Sequence, residues 1–251
     1  MTLHLYLSPH LDDAVLSCGA LIHAQQQRGE RVVMCTVCAG DAPRTGLSLF
    51  AEALHTRWQT PLNAVALRRA EDIAAAGRLG VKHIHLNLLD CIYRRHPGDG
   101  SPLYASEAAL FGEWHPAEQP LARQVSQSIA DLRRILRATH LYAPLGIGRH
   151  VDHQLTRRAA ELTGLPLFFY EDYPYAGRLP ESDAWGGLAR GLRAAWQPVD
   201  EADLDAQCQA ILAYRSQLSS FWPEEAAMQA AVRDFAQRSG QGLAVRLWQT
   251  A

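Results

Sequence analysis

Along the first two thirds of the chain, the apolar positions switch repeatedly between a period of two and a helical period. Leu3-His4-Leu5-Tyr6-Leu7 alternates and stops at Ser8-Pro9, which predicts a short strand running into a loop. Over 14–28, Val15, Leu16, Ala20, Leu21 and Ile22 keep helical spacing, and Gly29 stands where a C-terminal cap belongs. Residues 31–37 read as a buried strand, 61–79 as a helix that Gly80 stops, and 83–88 as a third strand. A helix over 121–136, a strand over 140–142, a helix over 153–162 and a strand over 165–170 complete the series. Strands and helices alternating at this interval predict βαβ units. The expected fold is α/β, three-layered and Rossmann-like, with a mostly parallel sheet and helices on both faces. No repeat, low-complexity tract or linker interrupts the pattern, so 1–251 is expected to form a single domain. In such sheets, sites lie outside the carboxyl ends of the strands.

Two polar clusters fall at such ends. Ser8-Pro9-His10-Leu11-Asp12-Asp13 follows the first strand. A helix starting near Asp12 brings His10 and Asp13 onto one point and aims Asp12 elsewhere, and an imidazole with a carboxylate suits Zn²⁺. Gly148-Arg149-His150-Val151-Asp152-His153 follows the fourth strand, with His150 and His153 one turn apart. Either cluster alone is compatible with helix capping by Asp12 or Asp13, or with a solvated helix start. Capping does not account for both appearing after separate strands, and metal binding does.

Together the clusters resemble the LmbE-like (PIG-L) zinc-dependent de-N-acetylases, whose signature His-Pro-Asp-Asp stands here as His10-Leu11-Asp12-Asp13. Their downstream His-x-Asp-His stands as His150-Val151-Asp152-His153. Gly40-Asp41, Arg68 with Glu71, Asp90 and the stretch 210–217 add to the similarity, which covers roughly the first 220 residues. The resemblance implies that His10, Asp13 and His153 hold Zn²⁺, with Fe²⁺ as another candidate ion. It implies that Asp12 is the general base, that His150 stabilises the oxyanion as a cation, and that Asp152 tunes His150 by raising its pKa. Arg68, Asp41 and Asp90 would contact sugar hydroxyls, although Arg68 and Glu71 also suit a surface pair on a helix. The chemistry agrees with this arrangement. Three protein ligands leave a fourth zinc position open, and a carboxylate beside it serves as proton acceptor.

Two positions depart from the family pattern. Leu11 replaces the proline, and Gly148 stands where some members carry a tyrosine that assists the oxyanion. Arg149 or a tyrosine within 170–175 could take over that task. Trp114 and the tyrosines of 170–175 are expected at the pocket rim, where aromatic faces suit sugar rings.

Composition changes little in this picture. The 251 residues carry a formal charge of −2 and a pI near 6.6, so no general attraction to nucleic acid is expected. No apolar run reaches the ~20 residues of a membrane span, and no secretory leader is evident, so a cytoplasmic protein is expected. The odd number of cysteines, five, fits buried free thiols, and Cys35 with Cys38 reads as core. His83 and His85 read as packed residues with satisfied hydrogen bonds, as does His4, while His23 and His55 lack an evident acidic partner. The expected partner is a small amino sugar or glycoconjugate, and a homo-oligomer is compatible. An amidase acting on a thiol-sugar conjugate and a non-catalytic metal-dependent sugar binder are the other readings. Asp12 favours catalysis, since a binder needs no base, and no Gly-x-Gly-x-x-Gly follows the first strand to suggest dinucleotide binding.

Overall fold

The first strand, β1 (Leu3–Ser8), is buried along its whole length, as a strand covered on both faces must be. Its side chains alternate: Leu3, Leu5 and Leu7 enter one core layer, and Tyr6 enters the other. The computed structural model describes residues 2–57, 64–181, 185 and 187–250. After β1 come α1 (Asp13–Gln27), β2 (Arg31–Thr36), α2 (Leu49–Arg57), α3 (Ala64–Arg78) and β3 (Lys82–His85). A 3₁₀ turn (Cys91–Tyr93) then leads to α4 (Glu107–Leu110), α5 (Gln119–Leu136), β4 (His140–Pro144), α6 (Val151–Leu162) and β5 (Phe168–Tyr170). The remainder comprises α7 (Tyr175–Arg178), β6 (Leu192–Pro198), α8 (Glu201–Ile211), α9 (Arg215–Phe221), α10 (Glu225–Ala236) and β7 (Ala244–Thr250).

These strands form one seven-stranded sheet in the order β3-β2-β1-β4-β5-β7-β6. Strands β1 to β5 pair in parallel, and β7 runs antiparallel to both β5 and β6. The α/β expectation of a mostly parallel sheet therefore holds. Helices α1 and α8 pack together over the Tyr6 face, while Val125 and Ile129 of α5 and Ala159 and Ala160 of α6 fill the other layer. Close packing of α1 on α8 accounts for Gly19 inside a helix. A Cβ there would lie 2.7 Å from the Gln207 side chain, whose Nε2 donates to the carbonyls of Val15 and Leu16.

Several boundaries differ from the periodicity. The helix expected over 61–79 is seen from Ala64 to Arg78, with 61–63 outside the described residues, and Gly80 at φ +69 ends it. β3 stops at His85, because Asn87 turns away into an antiparallel bridge with Cys38. β5 is only three residues long, and α6 begins two residues before the expected His153. The short helices α2, α4 and α7 and everything from β6 onward lie where no period stood out.

The buried histidines behave mostly as expected. His4 Nδ1 meets the Tyr142 hydroxyl at 2.8 Å, and burial, partly offset by Glu30, pushes its pKa down to about 4. His23, expected to lack an acidic partner, has one: Asp203 of α8 lies 2.8 Å from its Nδ1, a residue 180 positions away in sequence. All five cysteines are free and buried.

Asp72 of α3 ties the edge of the sheet to the C-terminal helices. It is 2% exposed, and its Oδ2 accepts from Thr36 Oγ1 at 3.0 Å and lies 2.8 Å from His85 Nε2. Its Oδ1 accepts from the Tyr214 hydroxyl at 2.7 Å. Tyr214→Phe removes a donor from a buried carboxylate, so it is expected to lower unfolding free energy by about 1–3 kcal/mol. Urea denaturation followed by circular dichroism measures the change. A loss under about 0.5 kcal/mol would mean that this bond does not hold the C-terminal helices in place.

Candidate metal centre

The loop between β1 and α1 frees its carboxylates for chemistry by assigning the cap to a serine. Ser8 Oγ accepts from the Ala14 N–H at 3.0 Å and donates to the His10 carbonyl at 2.6 Å. Asp12 occupies the N-cap position in an extended conformation but makes no side-chain capping bond. Asp13 Oδ2 accepts the backbone N–H of His10 at 2.8 Å instead of a helical one. The capping alternative therefore does not describe either aspartate.

The β4–α6 loop is held by a residue that follows the next strand. Asp172, just past β5, accepts from the N–H groups of Gly146 and Ile147 at 2.7 and 2.8 Å. Gly148 and Arg149 follow with positive φ, turning the chain so that His150 becomes the N-cap of α6. His150 Nδ1 accepts from the Asp152 N–H at 3.2 Å, and His153 enters the first helical turn.

Both loops deliver their imidazoles to one carboxylate. Asp13 Oδ2 lies 3.1 Å from His10 Nδ1 and 3.3 Å from His153 Nε2. Ring nitrogens of His10, His150 and His153 lie within 4.8 Å of one another. The remaining nitrogens of His10 and His153 are held by further carboxylates: His10 Nε2 by Asp152 at 3.0 Å, and His153 Nδ1 by Asp172 at 2.6 Å. His153 Nε2 is buried and makes no hydrogen bond among the described residues. An imidazole nitrogen left over in this way, beside a second imidazole and a carboxylate oxygen, fits a divalent cation. Two nitrogens and one carboxylate oxygen, with each histidine oriented through its far nitrogen, form a donor set that suits a divalent metal.

The electrostatics favour positive charge at this point. Burial opposes protonation of His153, but Asp13 and Asp172 overcome it and hold the pKa at about 9. Burial also opposes the imidazolium of His10, and Asp13 and Asp152 outweigh it, raising that group well above its usual range. Asp152 would suffer from burial itself, but Arg94 at 2.5 Å, with His10, holds it well below the usual carboxylate range. Arg94 in turn pairs with buried Glu118, which accepts from the Tyr104 hydroxyl at 2.7 Å. Asp12 is pushed up to about 6, chiefly by burial, while Arg68 at 3.5 Å pulls the other way.

The Asp152 carboxylate lies against His10 and Arg94, its N–H donates to His150 Nδ1, and a carboxylate oxygen stands within 4.8 Å of a His150 ring nitrogen, where it favours the imidazolium. Burial, followed by repulsion from His10 and His153, holds His150 well below its ordinary pKa. With Nδ1 accepting a hydrogen bond, the neutral form of this ring carries its proton on Nε2.

The residues expected to contact substrate divide. His10, Asp12, Asp13, Arg68, Asp90, His150 and Tyr175 line one cavity of about 270 Å³. Arg68 is buried against Asp12, and Glu71 accepts from Ser216, so the two do not form a surface pair. Asp90 caps the 3₁₀ turn and lies 3.9 Å from His10 Nε2. Asp41 is not brought to the cavity: it is exposed and paired with Arg69 at 2.5 Å. Trp114 is not among the lining residues, and of the tyrosines in 170–175 only Tyr175 is. Its ring occupies the space next to Gly148, where a Cβ would lie 2.7 Å from Tyr175 Cγ. Asp172 and Arg94 escaped the sequence reading. Asp172 did carry a signal, a carboxylate two residues past a predicted strand, whereas Arg94 lies in a segment without periodicity.

Comparison with known proteins places this geometry. Residues 5–163 match the family model described as PIG-L: GlcNAc-PI de-N-acetylase. The 2'-N-acetylparomamine deacetylase of Niallia circulans is 29% identical over 242 residues, covering 88% of this chain and 83% of that protein. Its namesake from Streptomyces fradiae is 32% identical over 212 residues, covering 80% of this chain and 66% of that protein. The zinc-inhibited form of teicoplanin deacetylase Orf2 superposes with a TM-score of 0.85 at 32% identity, covering 99% of this chain and 97% of the other. Over a mostly parallel sheet with a buried histidine and carboxylate cluster at its edge, these matches show that the chain belongs to the PIG-L (LmbE-like) family and is a metal-dependent N-deacetylase.

Proposed function

We propose that this protein hydrolyses the N-acetyl group of a 2-acetamido sugar within a conjugate, using Zn²⁺ held by His10 Nδ1, Asp13 and His153 Nε2. The observation that carries this reading is the convergence of both imidazoles on Asp13 Oδ2, each clamped from behind by a carboxylate. The 2'-N-acetylparomamine and teicoplanin deacetylases among the relatives name reactions on the amide class that such a site suits. The ion supplies Lewis acidity toward water and the amide carbonyl. Asp12 lines the same cavity without a capping duty, so it is the group to take a proton from the attacking water and return it to the departing nitrogen. A buried carboxylate near 6 is well matched to that exchange. His150 serves as a neutral Nε2–H donor toward the oxyanion. Tyr175, whose phenol burial keeps protonated well beyond its usual range, stands where Gly148 leaves room and takes the part of the family's tyrosine.

Metal content tests the ligand set. The native protein is expected to bind roughly one equivalent of zinc, which His10→Ala, Asp13→Ala and His153→Ala should lose and His150→Ala should keep. Asp172→Asn should weaken zinc affinity about 10–100-fold by releasing His153. Elemental analysis after dialysis against a chelator measures each. Retention by His153→Ala with loss by His150→Ala would reverse the two histidines.

Asp12→Asn should keep the metal and lower kcat about 10²–10⁴-fold. In the native enzyme the rate should fall as pH drops through about 6, where the raised Asp12 becomes protonated, or somewhat lower once a nearby dication favours the carboxylate. Arg68 favours the charged form of Asp12, so Arg68→Gln should move this acid limb to higher pH. His150, already neutral, should contribute no alkaline limb. Acetate release measured from pH 4 to 10 decides both points, and an unmoved acid limb in Arg68→Gln would remove Asp12 as its source.

Tyr175→Phe is expected to lower kcat about 10²–10³-fold with zinc content and KM little changed, as for the loss of one oxyanion donor. Unaltered kcat would return the oxyanion to His150 and the ion alone.

A further inference from the structure

The cavity has a polar floor and a different kind of wall. Its floor is built from Asp12, Asp13, His10, His150 and Arg68, which satisfy one another or face the ion site. Around it stand Phe50, Leu54, Ile92, Leu110, Phe111 and Phe221. An acetyl group needs only a small apolar contact, and a sugar ring presents hydroxyls, so six large apolar side chains exceed what the reacting part of the substrate uses.

The charges at the mouth are also uneven. Arg57, at the end of α2, and Arg178, at the end of α7, are exposed lining residues, and neither has a carboxylate within ion-pair distance among the described residues. Arg178 Nη2 donates to the Phe221 carbonyl at 2.7 Å, which holds its guanidinium beside that aromatic ring. Glu107 is the single exposed acidic residue among the described lining residues. The segment joining α2 to α3, residues 58–63, contains no ionisable side chain. Substrates with several ammonium groups need clustered carboxylates at the entrance, and among the described lining residues the exposed charges are two guanidiniums against one carboxylate.

From this wall and these charges we infer that the enzyme selects 2-acetamido sugars whose aglycone is an aromatic, apolar group carrying a carboxylate, and disfavours polycationic amino-sugar conjugates. The aromatic group covers Phe50, Leu54 and Phe221, and its carboxylate meets Arg57 and Arg178. The inference rests on the de-N-acetylase reading, so the test separates the two.

Four probes share one amide: N-acetylglucosamine and its phenyl, 4-carboxyphenyl and 4-(aminomethyl)phenyl glycosides. The zinc-loaded protein should release acetate from all four, with kcat/KM rising about tenfold from the free sugar to the phenyl glycoside. The carboxylate should add a further factor of about 3–10, and the ammonium should cost a similar factor, as expected of partly exposed charge pairs. The Arg57→Glu, Arg178→Glu double variant should reverse the order of the two charged glycosides and leave N-acetylglucosamine unchanged. Phe50→Ala should lower the phenyl advantage alone. Equal kcat/KM for the charged pair, or an order that survives the double variant, overturns the selectivity and leaves the activity standing. Calorimetric binding of the same glycosides to Asp12→Asn gives a readout free of turnover. The carboxylate binding more tightly there supports the selectivity even if no acetate is released, whereas no acetate from any probe overturns the activity. Equal affinities in that variant overturn the selectivity by themselves.

Discussion

Asp13 Oδ2, with an imidazole 3.1 Å away on one side and another 3.3 Å away on the other, is the contact on which the rest of the structure depends. Three buried histidines and several buried carboxylates within a few ångströms are costly unless each is paired. Asp152 and Asp172 answer that cost and also set the imidazole tautomers, since each takes the far nitrogen of one ring. The pairing then spreads outward. Asp152 needs Arg94, Arg94 needs Glu118, and Glu118 takes the Tyr104 hydroxyl. Asp172 needs two loop N–H groups, and in taking them shapes the turn that aims His150. The irregular segment between β3 and α5 supplies Arg94, Tyr104 and Glu118, so its packing follows from burial of the site's charge.

The topology explains why the site lies where it does. β1 is central, its successors add outward to β2 and β3, and the chain then crosses to the other side to place β4 beside β1. The loops after β1 and β4 therefore diverge above neighbouring strand ends, where a crevice must open. Helices α1 and α6 begin at its two walls, and their N-termini add positive potential near Asp12, Asp13 and Asp152. The crevice is thus lined from the ends of rigid elements, and Ser8 caps α1 so that the Asp12 side chain makes no capping bond.

Gly148 and Tyr175 fit together as a residue without a side chain and a large ring. The left-handed backbone at Gly148 suits glycine, and a side chain there would collide with Tyr175. The aromatic ring reaches the same corner from α7, packed edge-on against His153 and Phe111.

The sequence alone determined the parallel half of the sheet, because two-residue and helical periods are local signals that buried strands and amphipathic helices must carry. It also determined both polar clusters, since each is a contiguous run at a strand end. Tertiary structure decided everything that depends on residues distant in the chain. Asp172 behind His153, Arg94 behind Asp152 and Asp203 beside His23 become partners only once strands and helices are stacked. The surroundings of His150 were decided the same way: the fold buries it beside His10 and His153, which lowers its pKa, and turns the Asp152 carboxylate toward His10 and Arg94. Asp41 moved in the opposite direction, out to solvent with Arg69, because proximity to a strand end does not fix which way a loop carboxylate faces. The antiparallel strands β6 and β7 stayed hidden for a related reason. They lie at one edge of the sheet, where β6 has only one neighbour and is half-exposed, so its composition carries no continuous apolar run.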